Sequence, residues 1–258
     1  YINKEDNLNP KYIFDSFIVG SFNDLAHAAA QAVVKNLGTT YNPLYIYGGS
    51  GLGKTHLIQS IGNHIKNIPG KKVFYLTSDK YGSEFVDSMM NNSIHLFKEK
   101  YKKYDLLIMD DVQFFSKKDK FQEELFHLFN SLYENNKQMV FSSDKPPRQI
   151  ANLEDRLRSR FEGGMVIEVS KPEYESRIAI LRSKLKMGGY YLPDETVEFI
   201  ATNVSDNIRE LEGILNTIVC QSQLKNKELS INEIKQLVKN SSKQRKTVSI
   251  KDVIKVVC

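Results

Sequence analysis

Five short apolar runs recur along the first 170 positions, and each is bounded by polar residues or glycine. Continuous apolar runs of about four to eight residues are typical of strands that are buried on both faces. The pattern therefore predicts five strands, at 43–48, 72–78, 105–111, 138–144 and 165–170.

Between the predicted strands, apolar residues recur at the three- and four-residue spacing of an amphipathic helix. The clearest cases are 55–65 and 120–136, where Leu125 and Phe129 fall on one face of the second helix. Strands that alternate with such helices favour a parallel sheet covered by helices on both faces. We therefore predict an α/β domain over residues 1–171.

After residue 171 the strand signal stops and only helical spacing remains. Helices are predicted at about 173–187, at 194–203, at 206–223 and, as a short helix, after Ser230. Ser230 and Glu233 have the spacing of a capping box. These segments predict a small all-helical domain over 172–240, while 241–258 is predicted to be a basic linker and the start of a further helix.

Composition narrows the class of protein. No stretch approaches the roughly 18 apolar residues of a membrane span. The chain begins at Tyr1 without the basic and then apolar pattern of a signal peptide, so we expect it to be part of a longer protein. Cys220 and Cys258 are too far apart for a disulfide framework or a metal motif. These features predict a cytoplasmic protein in a reducing compartment.

The formal net charge of +5 permits an anionic partner without requiring one. Lysines cluster at 98–103, 117–120 and 243–246. The simplest interpretation of each cluster is a solvated surface.

One predicted strand-to-helix junction carries the strongest chemical signal. Residues 48–55 match the phosphate-loop pattern G-x-x-x-x-G-K-[ST] in the required strand and helix context. Lys54 would reach the outer phosphates, and Thr55 would offer its hydroxyl to Mg²⁺. The alternative is a glycine-rich turn that binds nothing. The residues assigned to the nucleotide here are Gly48, Gly49, Ser50, Gly51, Leu52, Gly53, Lys54, Thr55 and His56.

Two further predicted strands end in polar residues. Asp110 ends a buried strand, where its carboxylate could hold the Mg²⁺ shell, and Asp111 follows where it could orient the attacking water. An acidic pair in an ordinary loop is the alternative. Ser143 and Asp144 end the next strand, at a natural position to sense the outermost phosphate.

An arginine-rich segment follows at 153–164. If it is helical, Arg156 and Arg160 share one face, while Arg158 points elsewhere. Arginines on one face could act as a finger on the nucleotide of a neighbouring subunit. The alternative is a surface helix whose arginines pair with acidic neighbours. Those neighbours are Glu154, Asp155 and Glu162.

Arg209 begins a helix of the predicted all-helical domain and could fold over the nucleotide. A simple pair with Glu212 at i+3 is the alternative.

These motifs, in this order, resemble the AAA+ ATPases and, more narrowly, the DnaA family of bacterial chromosomal replication initiators. The resemblance runs over nearly the whole chain and rests on NPKYIFDSFIVG, YNPLYIYGGSGLGKTHL, LLIMDDVQFF, SSDKPPRQI, LEDRLRSRFEGG and NIRELEG. It implies the AAA+ fold, a parallel sheet covered by helices with a helical lid, and ATP or ADP with Mg²⁺ as cofactors.

The resemblance also implies roles for individual residues. Ile18 and Val19 would lie against the adenine base. Asp144 would be sensor 1 and Arg209 sensor 2. Arg160 would be the finger that reaches the ATP of the next subunit.

Arg156, beside that finger, would support assembly. Val86, Lys118 and Lys120 would contact single-stranded DNA. Two positions depart from the family pattern: Phe121, where a small polar residue is frequent, and Gly163, where an aromatic residue is usual.

The function implied by the resemblance is ATP-dependent initiation of chromosome replication, in which copies stack into a helical filament on origin DNA. Regions outside these 258 residues would read duplex DNA and bind the replicative helicase and regulators. Most AAA+ motors carry Glu after the magnesium-binding Asp; Asp111 is one methylene shorter, which predicts slow hydrolysis and a nucleotide that acts as an assembly switch.

Other functions remain open from the sequence. A helicase loader or a regulatory relative of the initiator would share the same ATPase core. A metabolic kinase would need an acceptor pocket, for which the sequence has no evident segment. A DNA-binding module without enzymatic activity is the third alternative.

Overall fold

The computed structural model describes residues 5–115, 119–205, 207–225, 227 and 229–243, and the side chains of 119 and 241–243 are not described. Lys118, Cys258 and residues 244–258 of the linker and helix predicted over 241–258 therefore lie outside the described residues, while the backbone of 241–243 belongs to the last helix. The chain divides into two compact units, Tyr1–Lys171 and Pro172–Cys258.

The first unit contains a parallel sheet. Its strands are β1 (Leu44–Tyr47), β2 (Val73–Thr77), β3 (Leu106–Asp110), β4 (Gln138–Ser143) and β5 (Met165–Glu168), in the order β2-β3-β4-β1-β5. Its helices are α1 (Asp24–Lys35), α2 (Lys54–Ile65), α3 (Ser78–Met90), α4 (Ile94–Lys100), α5 (Asp119–Glu134) and α6 (Asp155–Glu162). The predicted α/β class is confirmed, and each of the five predicted strands is observed with slightly shorter ends.

Burial explains why the strands read as continuous apolar runs. Every residue of β3 and β4 is buried, because helices cover both faces of a parallel sheet. On one side the core is rich in aromatic rings: Tyr45, Phe141 and Phe161 are in contact, with ring centroids 4.8 to 5.4 Å apart. Such ring pairs stabilise the packing of α6 against β1 and β4.

The described residues of the second unit form helices joined by short loops, with no strand among them. This unit consists of α7 (Tyr174–Gly188), α8 (Asp194–Asn203), α9 (Ile208–Lys225) and α10 (Ile231–Lys243). Its core is aliphatic, with Ile200, Ile218 and Ile234 each about 1% exposed or less. The predicted all-helical character is confirmed.

The predicted capping box is present at the start of α10. The Ser230 N–H donates to Glu233 Oε2 at 2.9 Å, and the Glu233 N–H donates to Ser230 Oγ at 3.4 Å. Hydrogen bonds from Lys225 and Ser230 lower the pKa of Glu233 to about 2. The helix is longer than the short one predicted, because its apolar residues continue into the core as far as Val238.

No helix in the described part of the chain is both long enough and apolar enough to cross a bilayer.

Gly164 connects α6 to β5 at a very close backbone approach. A Cβ at this position would lie 1.9 Å from the carbonyl oxygen of Pro43 and 2.6 Å from its nitrogen. Pro43 immediately precedes β1, whose Leu44 is paired with Met165 of β5. Neither backbone can move without disturbing this ladder, so the close approach requires glycine.

We therefore expect Gly164→Ala to lower the free energy of unfolding by at least about 1–3 kcal/mol, the usual cost of overpacking. Thermal unfolding followed by circular dichroism measures the change. The control is Gly213→Ala in α9, where a Cβ meets no atom within 4 Å. That substitution should stabilise the protein by about 0.5–1 kcal/mol, because alanine favours the helix. Equal melting temperatures for Gly164→Ala and the unsubstituted chain would contradict the close approach.

Candidate nucleotide site

The site begins at the junction between β1 and α2. Gly48, Gly51 and Gly53 all have positive φ, at 153°, 76° and 92°. A Cβ at Gly48 would lie 2.2 Å from the carbonyl oxygen of Val169, so a larger residue cannot occupy this position. The junction leads directly into the N-terminus of α2, where unpaired N–H groups and the helix dipole favour an anion. This geometry is the one that a phosphate loop requires.

Lys54 is the first residue of α2, and its side chain folds back over the junction. Its Nζ donates hydrogen bonds to the carbonyl oxygens of Gly48, at 2.8 Å, and of Gly49, at 2.9 Å. The residue is only 7% exposed. A buried ammonium held inside the loop is placed to donate to phosphate oxygens that enter the loop.

Asp110 lies at the carboxyl end of β3 and is 2% exposed. Thr55 Oγ1 donates to Asp110 Oδ2 at 2.7 Å, and the Tyr75 hydroxyl donates to the same oxygen at 2.9 Å. Asp110 Oδ1 accepts from Ser142 Oγ and from the Asp111 N–H. The carboxylate is therefore surrounded by donors from α2, β2 and β4 and by the N–H of the next residue.

Thr55 and Asp110, the two residues predicted to hold Mg²⁺, are in direct contact. One hydroxyl and one carboxylate form the all-oxygen donor set that suits Mg²⁺, which commonly binds through one or two carboxylates together with phosphate oxygens. The residues present therefore fit this ion. Burial, followed by the charge of Asp110, raises the pKa of Tyr75, so this hydroxyl remains a donor to the carboxylate.

The acid that follows Asp110 is oriented differently. Asp111 has a φ of 60°, in the left-handed region that few residues other than glycine adopt. Ser78 Oγ donates to the Asp111 carbonyl at 2.7 Å, and Gln113 Nε2 donates to Asp111 Oδ1 at 3.1 Å. The Asp144 N–H, just after β4, donates to Gln113 Oε1 at 3.2 Å. Asp111 and Asp144 are thus connected through one side chain.

The segment predicted to hold the base lies beside the first turn of α2. His56 Nε2 is 3.0 Å from the carbonyl oxygen of Ile13 and 3.3 Å from Ser16 Oγ. The Phe17 ring packs edge-on against the His56 ring at 5.2 Å. Ile18, next to Phe17, is partly buried and Val19 is 45% exposed, so an apolar surface adjoins the phosphate loop.

The arginine segment is helical and forms α6. The guanidinium groups of Arg156 and Arg160 lie 4.9 and 5.7 Å from the centre of the Phe126 ring. Arg158 points elsewhere: it donates to Asp155 at 2.6 Å and to the carbonyl of Leu153 at 2.9 Å. Arg156 and Arg160 therefore share one face, which rests on α5.

The alternative of a salt-bridged surface helix describes only part of α6. Arg156 pairs with Glu154 at 2.5 Å, and Glu162 pairs with Arg148 at 2.9 Å. Within the described part of the chain, Arg160 has no ion pair or hydrogen bond of its side chain, and its ring contacts are to Phe126 and Phe129. Its charge is available to an external anion.

Two of the residues assigned to single-stranded DNA are described. Val86, on α3, is 43% exposed, and Lys120, near the start of α5, is exposed. Phe121 packs edge-on against Phe85 at 5.1 Å, which holds the start of α5 against α3. Val86 and Lys120 are the sequence neighbours of these two rings, on α3 and α5. Lys118 is not among the described residues.

Arg209 is in the first turn of α9. Asn207 caps this helix, because its Oδ1 accepts from the Glu210 N–H at 2.9 Å. Glu212, the alternative partner weighed for Arg209, pairs with Lys184 at 2.7 Å. Arg209 belongs to the second unit, so its role toward the phosphate loop stays a prediction.

Sequence reasoning missed three side chains of the site: Tyr75, Ser142 and Gln113. Tyr75 lies inside a strand between apolar neighbours that predict only burial, and Ser142 lies in a strand one position before the polar pair that the sequence analysis singled out. For Gln113 a weak signal existed, since it follows the acidic pair by two residues and is polar in an otherwise apolar run.

Known proteins are similar to this chain over most of its length. The family model of the bacterial DnaA ATPase domain matches residues 8–168. Domain III of the replication initiation protein DnaA of Thermotoga maritima is 45% identical, with a TM-score of 0.87, over 90% of this chain and 98% of that one.

Two longer structures are also similar. A replication initiator DnaA bound to AMPPCP and single-stranded DNA is 40% identical, with a TM-score of 0.78, over 86% of this chain and 70% of that one. The AMPPCP-bound DnaA of Aquifex aeolicus is 40% identical, with a TM-score of 0.78, over 84% of this chain and 67% of that one. The family model covers more than half of the chain, and the predicted AAA+ fold is confirmed. The chain therefore belongs to the bacterial DnaA ATPase domain family.

Proposed function

We propose that this chain is the ATP-dependent core of a replication initiator. It binds ATP with Mg²⁺, assembles with further copies on origin DNA and engages single strands, and slow hydrolysis ends the assembly. The observation that carries the proposal is the convergence of Lys54, Thr55 and Asp110 at the carboxyl edge of the sheet. The similar initiator bound to AMPPCP and single-stranded DNA supports both ligands.

Binding of the triphosphate would use groups that are already in position. The Lys54 ammonium would exchange its bonds with the Gly48 and Gly49 carbonyls for bonds with outer phosphate oxygens. Thr55 and Asp110 would hold Mg²⁺, which neutralises charge on the phosphates when bound. The apolar segment around Ile18 and Val19 would receive the adenine.

Hydrolysis requires a water that is aligned with the outermost phosphate. Asp111 would accept a proton from this water or orient it, and Asp144 would contact the phosphate as sensor 1. Arg209, from the second unit, would contribute as sensor 2. The carboxylate of Asp111 is one methylene shorter than that of Glu, and water alignment is sensitive to about 1 Å, so the reaction would be slow.

Assembly would make the nucleotide a shared ligand. Arg160 would reach the phosphates of a neighbouring copy, with Arg156 beside it, because both guanidiniums emerge on the same face of α6. Duplex recognition and contacts with the replicative helicase and regulators would use regions outside these 258 residues. A chromosomal partner would agree with the cytoplasmic location predicted from the sequence.

Sedimentation velocity tests the switch directly. With ATP or AMPPCP, and a short single strand, we expect larger particles than with ADP, because only the outermost phosphate offers Arg160 of the next copy a partner. Lys54→Ala is the control that removes nucleotide binding. Identical particle sizes with AMPPCP and ADP, on the strand and without it, would overturn the proposed switch.

Arg160→Ala should lower ATP hydrolysis by about tenfold or more while the affinity for ATP stays within about twofold, because the finger acts from another copy. Steady-state turnover at saturating ATP and equilibrium binding of a fluorescent ATP analogue measure the two effects. Arg158→Ala is the matched control from the same helix and should retain hydrolysis. Loss of ATP binding in Arg160→Ala would show that the finger assignment is wrong.

Replacement of Lys118 and Lys120 by Ala should weaken single-strand binding and flatten its salt dependence. Removal of one ion pair between a lysine and a DNA phosphate should reduce the slope of log K against log salt by about 0.7. Fluorescence anisotropy of a labelled single strand over a salt series measures this slope. The matched control replaces two exposed lysines, Lys71 and Lys72. They precede β2 and so lie at the amino ends of the strands. If the slope is unchanged in the Lys118 and Lys120 double variant, the lysines of 117–120 do not contact the DNA strand and are an ordinary solvated surface.

A further inference from the structure

Gln113 belongs to the 3₁₀ turn Val112–Phe115 that follows the acidic pair. Its side-chain amide extends across the edge of the sheet, where Nε2 contacts Asp111 and Oε1 contacts the Asp144 backbone. We propose that Gln113 is a positioning residue for ATP hydrolysis, which couples the water-orienting carboxylate of Asp111 to the phosphate-sensing end of β4. This inference rests on the proposed ATPase function.

Asp111 has an unusual backbone conformation. Its φ of 60° is costly for a residue with a side chain, by roughly 1–3 kcal/mol, and such conformations persist only where the surroundings hold them. Ser78 holds the Asp111 carbonyl at 2.7 Å, and Gln113 holds its carboxylate at 3.1 Å. The two hydrogen bonds act on different parts of Asp111: one fixes its backbone and the other fixes the direction of its side chain.

The oxygen of the Gln113 amide contacts the chain segment that follows β4. The Asp144 N–H lies one residue beyond the last residue of β4, and Gln113 Oε1 accepts from it at 3.2 Å. Ser142 Oγ accepts from the Asp111 N–H at 3.1 Å, so a second bond joins the same two chain segments. A displacement of the β4 end by a bound phosphate would therefore be transmitted to the Asp111 carboxylate.

The residue type at position 113 fits both contacts. At neutral pH the glutamine amide supplies one donor and one acceptor at this reach, and both are required, because Asp111 presents an acceptor and Asp144 presents a donor. Asparagine is one methylene shorter, and a carboxylate has no donor. Asp111 and Asp144, the residues that this amide contacts, are both acidic, and Asp110 precedes Asp111 in the chain. A further negative charge at position 113 would therefore repel Asp111.

The test compares single-turnover ATP hydrolysis by the chain and two Gln113 variants, at saturating ATP and Mg²⁺. Gln113→Met has a similar shape and removes both hydrogen bonds. We expect its rate to fall by about tenfold to a hundredfold, since a displacement of about 1 Å at the reacting water has that effect. ATP affinity should stay within about twofold, because the amide does not touch the phosphate loop.

Gln113→Glu distinguishes a positioning role from a purely structural one, because only a positioning role predicts that its relative hydrolysis rate depends on pH. At neutral pH its carboxylate repels Asp111, and we expect a rate as low as that of Gln113→Met. At a pH near 5 the added carboxyl gains a proton and can again donate to Asp111. The rate of Gln113→Glu relative to the unsubstituted chain should therefore rise as the pH falls, while the relative rate of Gln113→Met stays flat.

The matched control is Gln149→Met, which makes the same substitution at an exposed glutamine outside the site. Its rate should equal that of the unsubstituted chain. If the chain hydrolyses ATP no faster than Lys54→Ala, the proposed ATPase function itself fails. If the chain is active and Gln113→Met keeps its full rate, or if the relative rate of Gln113→Glu does not change with pH, the positioning role of Gln113 is overturned while the ATPase function stands.

Discussion

The buried carboxylate of Asp110 is the point on which the nucleotide site depends. Thr55, Tyr75 and Ser142 all donate to it, and they come from three different elements, α2, β2 and β4. A buried charge without partners costs several kcal/mol. The elements α2, β2 and β4 therefore cannot shift away from β3 without leaving this charge unpaired. In the proposed function, the bonds that stabilise the fold would also set the geometry for the phosphates.

The carboxyl ends of the strands give two neighbouring acids different surroundings. Asp110 continues β3 and is held between strands, whereas Asp111 turns out of the strand through a left-handed backbone. Adjacent side chains of a regular strand would point to opposite faces of the sheet. The turn at Asp111, with its hydrogen bonds to Ser78 and Gln113, instead keeps both carboxylates at the edge where a triphosphate would lie.

One helix connects the surfaces proposed for assembly and for the DNA strand. Near its start, α5 carries Lys120 and the Phe121 ring that packs on Phe85 of α3. Further along, Phe126 lies under the guanidiniums of α6. Lys120 and Phe126 are six positions apart, which is about 9 Å along a helix axis. A helix is stiff over such a distance. The proposed contact with single-stranded DNA and the proposed contact with a neighbouring subunit would therefore stay at a constant distance from each other.

The sequence by itself determined the strands, most of the helices and the glycine-rich turn between β1 and α2, because each of these depends on local spacing. Burial on both faces makes a strand continuously apolar, and the residues from Gly48 to Thr55 are neighbours in the chain. The tertiary structure alone decided which distant groups meet. Tyr75 and Ser142 contact Asp110 across 35 and 32 positions, and no local pattern marks a strand hydroxyl as a partner of a carboxylate. The bridge that Gln113 makes to Asp144 spans 31 positions and depends on β3 and β4 being adjacent, which is a property of strand order that residue spacing does not encode.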